Sequence, residues 1–128
     1  LEFSDFDRKL IEAAIGQGSK NTMFVLIHVV ESPTARIHGK DSADYETSKD
    51  EERLASYVRQ LKEMGFNATG KLGFRQRSKE IARITREENA NMLVIGAHGH
   101  SGVEDWLYGE TINSVRHELK IPVLVIYL

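Results

Sequence analysis

Cysteine is absent from this chain of 128 residues, and its absence excludes several kinds of chemistry at once. Without thiols the chain has no disulfide framework, no cysteine nucleophile and no thiolate metal site. No apolar run approaches the roughly 20 residues that are needed to span a bilayer, and no signal-peptide pattern opens the sequence. We therefore expect a cytoplasmic protein, or the cytoplasmic domain of a membrane protein, with no membrane segment in this chain.

The chain also lacks a large excess of either positive or negative charge. The chain has 17 Lys and Arg residues against 19 Asp and Glu residues, which gives a net charge of −2. Such a balance argues against binding to nucleic acid by bulk electrostatics, and we expect no nucleic-acid partner. The hydrophobic content of 41% is ordinary, and the length suits one compact domain that spans residues 1–128.

Apolar runs alternate along the chain with segments of helical spacing. Three runs, Thr22–Val30, Met92–Ile95 and Val123–Leu128, are nearly unbroken and indicate strands that are covered on both faces. A fourth, Asn67–Phe74, alternates weakly and is typical of a strand nearer the sheet edge. The polar segment Glu31–Lys49 is interpreted as an excursion loop that runs into a helix.

Helical spacing fills the intervals between the strands. We expect Ser4 and Ser78 to be the N-caps of two of these helices, and Gly65 to end another. Strands that alternate with helices predict an α/β fold with a doubly wound parallel sheet. A helix that starts near Ser4 normally follows a strand, so we expect the first strand to be largely missing from this chain and the sheet to have a gap in its middle.

The glycines between the runs Met92–Ile95 and Val123–Leu128 are the main functional signal. Gly96 and Gly99 follow a strand, and Gly109 comes ten residues later. Glycines at this place let backbone amides approach a phosphate, although they also permit tight turns without any ligand. His98 is the better phosphate contact of the two histidines in the loop. Because His98 and His100 lack further partners, we expect no metal site.

Recognisable catalytic motifs are absent. The sequence has no Gly-x-Ser-x-Gly elbow, no His-Glu-x-x-His and no Walker-type Gly-Lys-Ser/Thr. We therefore predict a binding or regulatory module with slow ATP hydrolysis at most, and we assign no catalytic residue.

The whole chain resembles the universal stress protein family. The resemblance lies in Gly96-x2-Gly99-x9-Gly109, in Glu2-Phe3-Ser4 and in His28-Val29-Val30. It implies five parallel strands in the order 3-2-1-4-5 with helices on both faces. It also implies a homodimer through the last strand, Val123–Leu128, and in many members the binding of ATP or a related adenine nucleotide.

Carried over residue by residue, the resemblance places Glu2 near the base and ribose, Val29 in the base pocket and the glycines around the phosphates. The predicted nucleotide-binding residues are Glu2, Val29, Gly96, His98, Gly99, Gly109, Glu110 and Thr111.

Glu110 departs from the family, which has Ser or Thr directly after the last glycine. A carboxylate there repels a phosphate by roughly 1–4 kcal/mol, or it holds Mg²⁺ that bridges to phosphates. A third explanation puts Glu110 in the first turn of a helix, where the dipole favours a carboxylate without any ligand. The alternative function is therefore a dimeric interaction domain that binds no nucleotide, either fused to or excised from a membrane transporter.

Overall fold

The computed structural model describes residues 1–30, 39–97 and 103–127, and for 39–44 and 103–108 it describes the backbone alone. Helices and strands alternate throughout these residues. Their order is α1 (Phe6–Gln17), β1 (Met23–Val30), α2 (Gly39–Glu63), β2 (Asn67–Phe74), α3 (Arg77–Glu87), β3 (Leu93–Ala97), α4 (Val103–Glu118) and β4 (Val123–Tyr127). The predicted α/β class is confirmed. None of the described helices is long and apolar enough to cross a membrane.

The strands form two parallel pairs. β1 pairs with β2 from Met23 opposite Asn67 to Val30 opposite Phe74. β3 pairs with β4, with Leu93 opposite Val123. Within the described residues no strand joins β1 to β3, which agrees with the gap expected in the middle of the sheet. The two pairs match the neighbours 3-2 and 4-5 of the expected order, and the order across the middle stays a prediction.

Helices cover both faces of β2. A Cβ built on Gly70 would lie 2.8 Å from the Leu54 side chain of α2, and one built on Gly73 would lie 2.9 Å from Glu80 of α3. Because side chains alternate along a strand, positions 70 and 73 face opposite sides of the sheet. The helices α2 and α3 therefore lie on opposite faces, as a doubly wound fold requires.

Two apolar clusters hold these layers together. The first packs α2 on the first strand pair, and the second packs α3 against α4. The first consists of buried Phe24, Leu26, Leu54, Leu61 and Ala68, and the second of Ala82, Val115 and Leu119. The predicted end of α2 is confirmed, because Gly65 has a φ of 87° and the Phe66 N–H bonds back to the Leu61 carbonyl at 3.0 Å.

Both predicted serine caps are wrong. α1 begins at Phe6 with Asp5 at the N-cap position, and the Ser4 carbonyl, not its hydroxyl, accepts the Asp7 N–H at 3.1 Å. α3 begins at Arg77, so Ser78 lies inside it. Acidic side chains provide acceptors at these two helix starts, and at α3 the Glu80 carboxylate accepts the Phe74 N–H at 3.0 Å.

The predicted excursion, residues 31–49, runs into a helix as expected. Its last part is helical, because α2 begins at Gly39. Residues 31–38 lie outside the described part of the chain.

Candidate functional site

The gap between β1 and β3 forms a cavity of about 1220 Å³, and residues along almost the whole length of both strands line it. Further walls come from α1, from α3 and from the amino-terminal segment, residues 1–4. The Leu1 nitrogen donates to the Ile27 carbonyl at 2.6 Å, which places this segment beside β1. Val30 and Gly96, at the carboxyl ends of β1 and β3, also line the cavity. Ligands of open α/β sheets bind at this end of the strands.

Four of the eight predicted site residues line this cavity, and they come from four separate parts of the chain. Glu2 belongs to the amino-terminal segment, Val29 to β1, Gly96 to β3 and Thr111 to α4. The fold thus brings together positions that are up to 109 residues apart in the sequence. His98 and Gly99 lie outside the described residues, so their predicted contacts stay predictions.

Gly109 and Glu110 lie in a different setting from the one we expected. Both are exposed, and both lie inside α4, which begins at Val103. Gly109 has no positive φ, and a Cβ built on it would meet nothing within 4 Å. Gly109 therefore lies within a helix, whereas the resemblance places it among the glycines around the phosphates. One glycine costs a helix only about 1 kcal/mol relative to alanine, and α4 is held by buried Val115 and Leu119.

The helix-dipole explanation of Glu110 is also wrong. Glu110 is the eighth residue of α4, whereas the favourable effect of the dipole on a carboxylate is confined to the first turn. Repulsion of a phosphate and coordination of a bridging cation stay predictions, and Glu110 is not among the residues that line the cavity. Within the described residues no group of three or more His, Asp or Glu side chains could hold a metal ion by itself.

Asp7 is the main feature of the site that the sequence did not indicate. Its side chain is buried, with 2% exposure, and its carboxylate accepts the N–H of Glu2 at 3.0 Å and the N–H of Phe3 at 2.7 Å. Phe3 has a φ of 60°, a left-handed conformation that a bulky residue rarely adopts. Asp7 therefore stabilises a strained turn at the edge of the cavity. The signal available in the sequence was an acidic residue in the first turn of a helix, which usually means only a favourable dipole contact.

Side chains from β1 and α2 hold the same turn. The Phe3 ring packs on the His28 ring with centroids 4.1 Å apart, and the His28 Nδ1 lies 2.9 Å from the Leu1 carbonyl oxygen. The Tyr57 hydroxyl donates to Asp7, and burial together with the Asp7 charge raises the pKa of this phenol. The His28 side chain is 13% exposed, and its Nε2 lies 3.5 Å from Asp50.

Ser4, which does not cap α1, lines the cavity next to this turn. Its hydroxyl oxygen is buried and has no hydrogen-bond partner among the residues that the structure describes. Buried polar atoms are nearly always hydrogen-bonded in native proteins, so an exception calls for an explanation.

The outer edge of β4 is a second candidate surface. β4 pairs with β3 on one side, and no described strand pairs with its other edge. Residues 123–126 are partly exposed, and Tyr127 is 74% exposed. An apolar strand with a free edge is a template for pairing with a second chain.

Comparison with known proteins gives the family. The sequence profile of the Universal stress protein family matches residues 1–127. No curated protein matches the sequence.

Several solved structures have the same fold. A universal stress protein from Archaeoglobus fulgidus shares 18% identity at a TM-score of 0.70, over 98% of this chain and 87% of that one. A protein of the universal stress protein family from Burkholderia pseudomallei shares 17% identity at a TM-score of 0.72, over 98% and 90%. The hypothetical protein MJ0577 shares 19% identity at a TM-score of 0.81, over 98% and 90%. On the profile match across its length, the chain belongs to the universal stress protein family.

Proposed function

We propose that this domain is a stress-response or regulatory module that binds an adenine nucleotide, such as ATP or AMP, in the cavity between β1 and β3. One observation carries the proposal: Glu2, Val29, Gly96 and Thr111 line the same cavity although they come from four parts of the chain. The cavity runs along β1 and β3 and reaches Val30 and Gly96 near their carboxyl ends, where α/β sheets bind nucleotides.

In this proposal Val29 packs against the base, and Glu2 lies near the ribose. The phosphates then extend from Gly96 towards the first turns of α4. Backbone N–H groups after Gly96 bind phosphate oxygens, and His98, Gly99 and Gly109 belong to this part of the site. The Thr111 hydroxyl, on the cavity side of α4, is a further contact.

Glu110 directly precedes Thr111 in the sequence, although it is not itself part of the cavity lining. Because Glu110 is exposed and beyond the first turn of α4, the helix does not need its charge. We propose that it acts on the ligand instead, either through a bridging Mg²⁺ or by repulsion.

Calorimetric titration of ATP, with and without Mg²⁺, tests the nucleotide proposal. We expect wild-type protein to bind ATP only with Mg²⁺ if Glu110 helps to hold the cation, and Glu110→Ser to bind without it. Removing a repulsion of about 1 kcal/mol would tighten metal-free binding about fivefold. Glu63→Ser is the matched control, because Glu63 is an exposed acid at the end of α2 that does not line the cavity.

The outcomes separate the two functions. Heat for Glu110→Ser but none for wild type under either condition would reject nucleotide binding for the natural chain and support an interaction domain. No heat for either protein would reject the nucleotide site altogether.

We further propose that the domain forms a homodimer through β4. The support is the free outer edge of this strand and the partial exposure of its apolar residues. Val125→Arg places a charge in the middle of the edge and should reduce the mass in solution from dimer to monomer, as measured by light scattering after size exclusion. Met64→Arg, at an exposed position after α2, is the control. A dimer that survives Val125→Arg would contradict this interface.

A further inference from the structure

The cavity between β1 and β3 extends well beyond the end at which a nucleotide would bind. It reaches Met23 and Met92 at the amino ends of the two strands, whereas the nucleotide proposal concerns their carboxyl ends. We call this remaining part, which is lined by residues 23–27 and 92–95, the central slot. Its walls determine what can occupy it.

Helices close the central slot on both faces of the sheet with apolar side chains. Ile11 of α1 packs against the first apolar cluster, on the α2 side, and Ile81 of α3 packs against the second, on the opposite side. Thr85 also lines the cavity, and its hydroxyl already donates to the Ile81 carbonyl at 2.7 Å. The described apolar residues of the two faces are Leu10, Ile11 and Ala14 of α1, Ile81 and Ile84 of α3, and Ile112 of α4. Side chains that enter the slot therefore meet apolar surface on either face.

Charged side chains of both signs line the cavity mainly at its carboxyl end, outside the central slot. Asp50 of α2 belongs to this end because it lies 3.5 Å from His28, and Arg77 belongs to it as the first residue of α3. The charged lining residues at this end are Glu2, Asp7, Glu46, Lys49, Asp50, Arg53 and Arg77. At the amino end the described lining includes one charged residue, Glu88, which pairs with Lys71 at 3.0 Å. The central slot thus favours an uncharged, apolar occupant.

The two long walls of the central slot are strand edges. Among the described strands β1 pairs with β2 alone and β3 with β4 alone, so the facing edges of β1 and β3 have no strand partner. Backbone N–H and C=O groups on such edges need hydrogen-bond partners, which an acyl chain or an aromatic ring does not provide. At the carboxyl end the backbone itself provides one, because the Leu1 nitrogen donates to the Ile27 carbonyl at 2.6 Å. A polypeptide backbone is therefore already the partner of this edge where the slot begins.

An extended polypeptide meets both demands of the slot. An apolar void grows more costly with its volume, and about 1220 Å³ of empty space is more than the marginal stability of a domain can offset. In an extended strand the backbone pairs on both sides, while alternate side chains point to opposite faces of the sheet. We propose that the central slot binds an extended, apolar polypeptide segment, as a strand between β1 and β3. Its length matches that of β3, which has five residues. This inference goes beyond the proposed function, because the nucleotide site lies at the carboxyl end.

Fluorescence anisotropy with labelled synthetic peptides tests the slot. The probe is Lys-Lys-Val-Ile-Val-Ile-Val, in which the two lysines keep an apolar strand soluble. The matched control is Lys-Lys-Val-Pro-Val-Pro-Val, which is also apolar but lacks two N–H donors and cannot pair within a sheet. We expect the probe to bind at least about tenfold more tightly than the control. Equal affinities, or no binding of the probe, would overturn the proposal.

A blocked slot shows where the peptide binds, because the outer edges of β2 and β4 also have no partner among the described strands. Ala14→Phe places an aromatic ring in the slot from α1, whereas Ala55→Phe adds the same ring at an exposed position of α2 outside the cavity. We expect Ala14→Phe to weaken binding of the probe at least about tenfold and Ala55→Phe to leave it unchanged. Binding that survives Ala14→Phe would overturn the inference.

Hydrogen exchange of the wild-type chain gives the same information without a variant. With the probe at ten times its Kd, opening of the slot should be about tenfold rarer, and the amides of β1 and β3 should exchange more slowly by that factor. Protection that is confined to β2 or to β4 would place the peptide on an outer edge and overturn the inference.

The failure of the proposed function is recognisable separately. A chain that binds the probe but no ATP would retain the slot and lose the nucleotide proposal. A chain that binds ATP but not the probe would lose the slot alone.

Discussion

Removal of the Asp7 carboxylate should strongly destabilise the domain. Asp7 is 2% exposed and accepts the N–H groups of Glu2 and Phe3 at 3.0 and 2.7 Å. A hydrogen bond to a charged group contributes about 1.5–3 kcal/mol. Two lost bonds are partly offset because a carboxylate is no longer buried, so we expect Asp7→Ala to lower the free energy of unfolding by about 2–4 kcal/mol. Asp7→Asn keeps one acceptor oxygen and should lose about half as much.

Urea unfolding followed by circular dichroism measures the effect. For a protein of this size, a loss of 2–4 kcal/mol shifts the midpoint by more than about 1 M at an unchanged slope. Asp5→Ala is the matched control, because Asp5 is exposed and its side chain makes no cap bond. We expect this control to stay within about 0.5 kcal/mol of wild type. An Asp7→Ala midpoint equal to that of the control would refute the role of Asp7 in the turn.

A second readout reports on Asp7 through Tyr57. Burial and the charge and hydrogen bond of Asp7 raise the pKa of the Tyr57 phenol. In Asp7→Asn the charge is gone and burial remains, so spectrophotometric titration should show a lower pKa for Tyr57 than in wild type. An unchanged pKa would mean that the two groups do not interact in solution.

Two further predictions concern packing and pH. Gly70→Ala should lower the free energy of unfolding, measured in urea, by about 1–3 kcal/mol, because its Cβ would lie 2.8 Å from buried Leu54. Gly16→Ala, with open space in α1, should raise it by about 0.5–1 kcal/mol. Equal midpoints for the two variants would contradict the packing. Hydrogen bonds from Arg83 lower the pKa of Glu80 below its ordinary value of 4.5. The destabilisation by Glu80→Gln should therefore be full above pH 4.5 and fade as the pH falls through the lowered pKa; a pH-independent difference would contradict the pairing.

Apolar patterning made the strands and the fold class predictable. The runs within β1, β3 and β4 are continuous because parallel strands are covered on both faces, and their spacing by helices leaves few arrangements other than an α/β sheet. Gly65 was predictable for a similar reason, since a left-handed residue after a helix favours glycine.

Helix starts were less predictable, because backbone carbonyls and side chains on either side of the start can accept the free N–H groups. Ser4 has the composition of a cap, but the Asp7 carboxylate is the acceptor at this turn and the Ser4 hydroxyl is left without a described partner. Glycine is usually taken to end a helix pattern, yet Gly109 lies inside α4, which packing against α3 holds together.

The sequence by itself determined the α/β class, the family, and the positions of the candidate ligand residues along the chain. These properties depend on local periodicity and on motif spacing, which the chain carries in its order. Only the tertiary structure decided that Glu2, Val29, Gly96 and Thr111 line one cavity, because their proximity follows from how the strand pairs and α4 pack. It also decided that Asp7 is buried beneath a strained turn, a fact that depends on the three-dimensional environment of one carboxylate.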